Sequence, residues 1–117
     1  MPLVLLALGS NVGDRAATLR DAVERVAQLA GTTVQAVSSL IETDPVGGPA
    51  GQGKYLNGAM LIETSLHPWD LLPLLLEIER LLGRDRAHEV RNGPRRADID
   101  LLFYDDLVIH TPGLSVP

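Results

Sequence analysis

Leu3 to Leu8 form an unbroken apolar run, the pattern of a buried strand. It gives way to Gly9-Ser10-Asn11-Val12-Gly13-Asp14, a turn cluster whose last residue suits a helix N-cap. Leu19, Ala22, Val23, Val26, Ala27 and Ala30 then recur at helical spacing, and Gly31 supplies the stop. Residues 32–43, rich in Thr, Val and Ser, read as one strand. Residues 44–54 hold four Gly and two Pro and read as a long loop, of a kind that in a small domain serves function or moves. Residues 55–64 read as a further strand. Leu56, Met60 and Ile62 share its buried parity, while Tyr55 and Asn57 point together to the other face.

A second helix is predicted from Pro68-Trp69-Asp70, with Pro in the first turn, a stripe of Leu71, Leu75, Ile78 and Leu82, and Gly83 as its end. Pro73 must sit late in the first turn or kink this helix. Glu77 and Glu79 read as surface residues of the helix. An Arg-rich loop, 84–96, leads to a strand over 97–104. Asp105-Asp106 reads as a turn, with at most a short strand at Leu107-Val108-Ile109. The order β-α-β-β-α-β predicts an α+β, ferredoxin-like domain: an antiparallel sheet with two helices packed on one face. The other face is left for Tyr55, Asn57 and a pair of aspartates.

The length of 117 residues is that of a single domain, 1–117. With 45% apolar residues and a mean hydropathy of +0.12, the chain is not of the disordered class. The lack of cysteine excludes a disulfide scaffold, a thiolate metal site and a cysteine nucleophile, and fits a cytoplasmic location. No apolar run approaches the ~18–20 residues of a membrane span, and the N-terminus lacks the features of a secretory signal. Charge sharpens the picture. The net charge is −5, yet residues 80–96 hold six Arg against two acids and carry +4, leaving −9 on the remainder. A basic island on an acidic chain is a local anion site. With 3% aromatics and a pI near 5.0, nucleic acid is not the expected partner.

Asp98 and Asp100 are the sharpest chemical feature. In a strand, residues i and i+2 share a face and lie about 6.5–7 Å apart along the chain. Two carboxylates so placed can hold hard cations such as Mg²⁺, which travel with phosphates; the plain alternative is two solvated aspartates. Arg84, Arg86, Arg91, Arg95 and Arg96 would by themselves read as a solvated loop. Directly upstream of the Asp pair they read instead as the cationic half of a polyphosphate clamp. The 9–14 cluster is neither a dinucleotide fingerprint nor a P-loop, and reads as a structural turn and cap. Asn57 offers an amide able to pair with the polar edge of a heterocycle, and Tyr55 a planar ring, although an exposed pair on the sheet is the simpler reading of the two alone. His67, His88 and His110 show no metal-ligand spacing.

Taken together, Leu8-Gly-Ser-Asn-Val-Gly-Asp14, Tyr55-Leu-Asn-Gly-Ala59, Leu82-Gly-Arg-Asp-Arg86, Gly93-Pro-Arg-Arg-Ala-Asp-Ile-Asp-Leu-Leu102 and Leu114-Ser-Val-Pro117 resemble the 6-hydroxymethyl-7,8-dihydropterin pyrophosphokinases of folate biosynthesis. The resemblance runs in order over residues 4–117. It implies a transferase that passes the β,γ-diphosphate of ATP to the pterin hydroxymethyl group and releases AMP. It further implies two Mg²⁺ held by Asp98 and Asp100, with Arg84 and Arg95 joining those aspartates as catalytic groups. Glu79, Arg84, Arg86, Arg91, Arg95 and Leu101 would bind ATP, and Thr43, Pro45, Val46, Tyr55 and Asn57 would enclose the dihydropterin. The expected partners are those two substrates, without nucleic acid or membrane, in a monomer or homodimer. Family members continue beyond the Val-Pro pair that closes this sequence, so a second expectation is a shortened domain that binds nucleotide or pterin without turnover. A two-metal nuclease is a third class, disfavoured by the acidic surface. Asn92 and Arg96 depart from residues common in the family at those places.

Overall fold

Strand β1 (Leu3–Ser10) pairs antiparallel on both its edges, with β4 (Tyr55–Thr64) on one side and β5 (Asp98–Tyr104) on the other. The apolar run at the start of the chain thus becomes the middle of the sheet, where a strand has no free edge to protect. Strand β2 (Thr32–Val37) pairs with the far edge of β4, and β3 (Ile41–Thr43) pairs with the first residues of β4. The result is a five-stranded antiparallel sheet in the order β2-β4-β1-β5, with β3 also on β4. Helices α1 (Arg15–Ala27) and α2 (Pro68–Leu81) complete an α+β architecture. This computed structural model describes residues 2–11, 13–44, 53–83 and 97–105, and the backbone of 109–111 and 114–116.

Alternation along the strands sorts the two faces. Val4, Leu6 and Leu8 of β1, Met60 and Ile62 of β4, and Ile99 and Leu101 of β5 are buried together. Leu19, Ala22 and Val26 of α1 and Leu71, Leu75 and Ile78 of α2 join the same cluster, so both helices cover one face of the sheet. Asp14 caps α1 as its position predicts, its Oδ1 accepting from the Ala17 N–H at 3.1 Å. His67, which carried no role in the sequence reading, caps α2: its Nδ1 accepts from the Trp69 N–H at 3.3 Å.

Several expectations need correction. Residues 32–43 are two strands. A break over 38–40 separates β2 from β3, and β2 itself carries a register shift against β4 between Val34 and Ala36. Helix α1 ends at Ala27, a turn before Gly31, and Ala27 and Ala30 are exposed. Gly31 still has the left-handed φ of +66° that suits glycine, within the connection to β2. Pro73 lies inside α2, on its exposed side. Of the last stretch, Asp106, Leu107 and Val108 lie outside the described residues. Beyond them, β6 (Ile109–Thr111) and β7 (Leu114–Val116) form an antiparallel pair that the sequence pattern did not predict. Asp105 turns the chain after β5 with φ +50°, the left-handed region that Asp tolerates better than most residues.

Leu6 is fully buried in the central strand, whereas Leu3 of the same strand is 41% exposed. Leu6→Ala is expected to cost about 2–5 kcal/mol of unfolding free energy in chemical denaturation, and Leu3→Ala less than about 1 kcal/mol. Equal losses at the two positions would mean that the face opposite the helices carries as much of the core.

Candidate active site

The functional candidates lie on the sheet face turned away from the helices, and the strand register brings them there. Gly9 of β1 is paired with Asn57 on one side and Asp98 on the other; Ala7 is paired with Ala59 and Asp100. Thr43 of β3 is paired with Tyr55. Residues directly opposite in neighbouring strands share a face. Thr43, Tyr55, Asn57, Asp98 and Asp100 therefore share one face, although they come from three strands. The Asn57 Nδ2 donates to the Thr43 Oγ1 at 2.5 Å, which ties β4 to β3 at this point. Asp98 is half-buried and Asp100 exposed.

Gly9 is the floor of this group. A Cβ at Gly9 would stand 3.4 Å from Asn57 Oδ1, 3.6 Å from Tyr55 Cδ1 and 3.9 Å from Asp98 Cβ. Tyr55, Asn57 and Asp98 thus approach one another over a position with no side chain. Sequence reasoning assigned Gly9 only to a turn. The signal that finds it is the pairing of the first apolar run with 55–64 and 98–104, which sets Gly9 level with both Asn57 and Asp98.

Two carboxylates on alternate residues of one strand supply hard oxygen donors. Among the described residues no group of three or more His, Cys, Asp or Glu stands together as a metal-binding cluster. Such a pair of carboxylates can supply two oxygen donors to a hard cation of the Mg²⁺ kind, which binds through one or two carboxylates and fills its remaining positions with water and phosphate oxygens.

The end of β3 and the start of β4 are held together from the β1–α1 turn. The Arg15 guanidinium donates to the Lys54 carbonyl at 2.8 Å and to Glu42 Oε1 at 2.7 Å. The Asn11 Nδ2 donates to the Gly53 carbonyl at 3.3 Å. One turn therefore grips both flanks of the glycine- and proline-rich stretch, next to Thr43 and Tyr55. The Arg15 hydrogen bond, and after it the Arg15 charge, hold the Glu42 carboxyl below its ordinary range.

Other candidates fall elsewhere. The Leu101 side chain is buried on the helix side of β5, away from the aspartates. Glu77 is exposed and paired with Arg80 at 2.5 Å, a surface residue as expected. Glu79, read from the residues alone as a surface residue, is fully buried, and its Oε2 accepts from the Ile99 N–H at 2.7 Å. The spacing of Leu71, Leu75 and Glu79, four residues apart, was the sign that this glutamate shares the buried stripe. Pro45, Val46, Arg84, Arg86, Arg91 and Arg95 lie outside the described residues.

A model of the 7,8-dihydro-6-hydroxymethylpterin-pyrophosphokinase family matches residues 5–117. A 2-amino-4-hydroxy-6-hydroxymethyldihydropteridine pyrophosphokinase of Bacillus subtilis is 50% identical over 115 residues, covering 98% of this chain and 67% of that protein. The protein of the same name from Methylorubrum extorquens is 44% identical over 117 residues, covering the whole chain and 72% of the relative. A bifunctional protein FolKE of Lactococcus lactis is 37% identical over 117 residues, which are 33% of its length.

The Arg15–Glu42 contact has a pH signature. A carboxyl whose folded value is depressed adds stability above its unfolded value and loses it as pH falls through the depressed one. Glu42 should titrate below 4.5 in the folded protein, followed by carboxyl carbon NMR, and the grip on Lys54 should loosen only below that point. In Arg15→Ala the midpoint should rise toward the ordinary glutamate value, because the hydrogen bond and the charge that lower it are gone. A midpoint still depressed in the variant would place its cause elsewhere.

Proposed function

The chain belongs to the 7,8-dihydro-6-hydroxymethylpterin-pyrophosphokinase family, and on that premise we propose that it transfers the pyrophosphoryl group of ATP to 6-hydroxymethyl-7,8-dihydropterin and releases AMP. The observation that carries this reading is the gathering of Tyr55, Asn57 and Asp98 over Gly9, with Asp100 beside them on the same face. A heterocycle needs a flat contact and a polar partner; a triphosphate needs a hard cation. Both are offered side by side.

Tyr55 stacks or abuts the pterin, and Asn57, held by Thr43, pairs with its polar edge. Pro45 and Val46 border the same pocket with Thr43. Asp98 and Asp100 would hold two Mg²⁺. Bound Mg²⁺ would screen the phosphate charge and ease loss of the substrate's hydroxyl proton. Arg84, Arg86, Arg91 and Arg95 grip the triphosphate from the basic segment. In the transfer, the hydroxymethyl oxygen bonds to the β-phosphorus. The bond from that phosphorus to the oxygen bridging the α-phosphate breaks, and AMP leaves with its electron pair. The hydroxyl proton passes to one of Asp98 and Asp100. The protein's contribution is position and charge cancellation, since no covalent enzyme intermediate is needed.

The strand order, with both helices on one face, supports a ferredoxin-like reading of the single domain. Small soluble substrates suit an enzyme of the cytoplasm, and among the described residues no helix is long and apolar enough to cross a membrane.

Asp100→Asn is expected to lower kcat for pterin-dependent AMP release by more than about 100-fold with the fold intact by circular dichroism. Unchanged turnover would remove the aspartate from the metal site. Gly9→Ala places a methyl among Tyr55, Asn57 and Asp98 at ordinary contact distances. It should leave the melting temperature within a few degrees but weaken dihydropterin binding by about 10-fold or more in calorimetry. Native pterin affinity in that variant would take Gly9 out of the substrate floor.

A further inference from the structure

A buried carboxylate is costly unless its oxygens are used. Glu79 is fully buried on the core face of α2, in the stripe of Leu71 and Leu75, and directs Oε2 to a main-chain donor of β5 at 2.7 Å. That donor is the N–H of Ile99, the residue between Asp98 and Asp100. Holding this amide fixes the peptide plane joining Asp98 to Ile99. The plane sets the local pleat, and the pleat sets the direction in which the two carboxylates leave the strand. Strand β5 stands at the end of the sheet order, with β1 as its partner within the sheet, so its position needs support from outside the ladder. Glu79 supplies that support from a helix anchored by three buried side chains, Leu71, Leu75 and Ile78.

The contact also has a place in the chain. Glu79 lies four residues before Gly83, and Ile99 two residues after Ala97. The Glu79–Ile99 bond therefore ties together the two stretches that flank the basic segment, 84–96. One hydrogen bond couples the helix that leads into the arginines with the strand that carries the aspartates.

We propose that Glu79 is a positioning residue of this site, which fixes the Asp98–Asp100 pair as a divalent-cation site through the Ile99 amide and acts on the nucleotide side through β5 instead of by its own contact. The proposal rests on the functional reading above. What matters in it is an oxygen acceptor at this position, not a negative charge.

The full-length protein is titrated with Mn²⁺ in the presence of the non-hydrolysable nucleotide α,β-methylene-ATP, with free Mn²⁺ followed by electron paramagnetic resonance. Glu79→Leu, which removes the acceptor, should weaken Mn²⁺ binding by about 10- to 100-fold, the usual loss when a partner behind a metal ligand is removed. Exchange of the Ile99 amide, by NMR, should quicken in parallel. In turnover, kcat should fall with the pterin KM within about twofold, since the pterin side is built on β3 and β4. Glu79→Gln keeps an oxygen acceptor and should recover most of each loss. A Gln variant as impaired as Leu would overturn the proposal in favour of charge or direct substrate contact, and native Mn²⁺ affinity in Glu79→Leu would overturn it outright. Should Glu79→Leu not fold, a folded Glu79→Gln decides: affinity within about threefold of native supports the proposal, and a tenfold loss overturns it. Asp100→Asn separates the two levels. If it leaves Mn²⁺ affinity intact, the functional reading and this proposal fall together. If it abolishes binding while Glu79→Leu does not, only the positioning role falls.

Discussion

The pairing of β1 on both its edges is the constraint from which the rest follows. A central strand cannot choose which residues face the core independently of its neighbours. Once Leu6 is set against Met60 and Leu101, the register fixes Leu8 level with Ile99 and Val4 level with Ile62, all toward the helices. The intervening residues have no freedom left. Ala7 must stand between Ala59 and Asp100, and Gly9 between Asn57 and Asp98. A slip of one residue in the β1–β5 pairing would turn the aspartates to the core and Ile99 and Leu101 out of it, and a slip in the β1–β4 pairing would do the same to Asn57 and Met60. The hydrophobic core therefore aligns the polar groups: the free energy that assembles the helix-covered face also sets the geometry of the open one.

What the core cannot supply is closure at the ends of the strands, and there the structure uses polar ties. Arg15 spans Glu42 and Lys54, so the residues flanking the glycine- and proline-rich stretch stay together beside Thr43 and Tyr55. The Thr43–Asn57 contact continues that tie into the site. On the opposite edge Glu79 reaches Ile99. The two ties differ in energetic weight. The first is at the surface, where ion pairs contribute little and water competes. The second is buried, where an unmet donor or acceptor is costly. The β3–β4 edge is accordingly held by the weaker tie, and the edge that carries the aspartates by the stronger one.

Much of this was legible in the sequence. The alternation in 55–64 separated Tyr55 and Asn57 from the core, and the Asp-x-Asp spacing put both carboxylates on one face. Asp14 as a cap and Gly83 as a stop follow from local chemistry alone. The rest depends on tertiary context. The split of 32–43 falls at Ser38, whose backbone and side chain both bond Ala59 where β2 ends; that contact is not visible to a propensity argument. Ala27 and Ala30 kept helical spacing, but alanine is apolar enough to match a stripe and small enough to sit outside it. Pro73 is tolerated inside α2 on its exposed side, a placement that the strong N-terminal signals of His67 and Pro68 make possible. Glu79 reads as a surface residue by its charge, whereas its position four residues after Leu75 puts it in the buried stripe.

That conflict bears on how function is written into the core. A leucine at position 79 would continue the stripe of α2 with Leu71 and Leu75 and spare the helix the desolvation of a carboxylate, but it would take the acceptor from the Ile99 amide. The helix has no need of a charge at that point, and α1 packs on the same sheet face with apolar residues alone. The need arises one layer away, at a backbone amide that an apolar side chain would leave buried without an acceptor. Position 79 is thus governed by the strand it touches more than by the helix it belongs to. A residue that disagrees with its own element's pattern is, in this chain, the clearest link between the core that stabilises the sheet and the two aspartates on its open face.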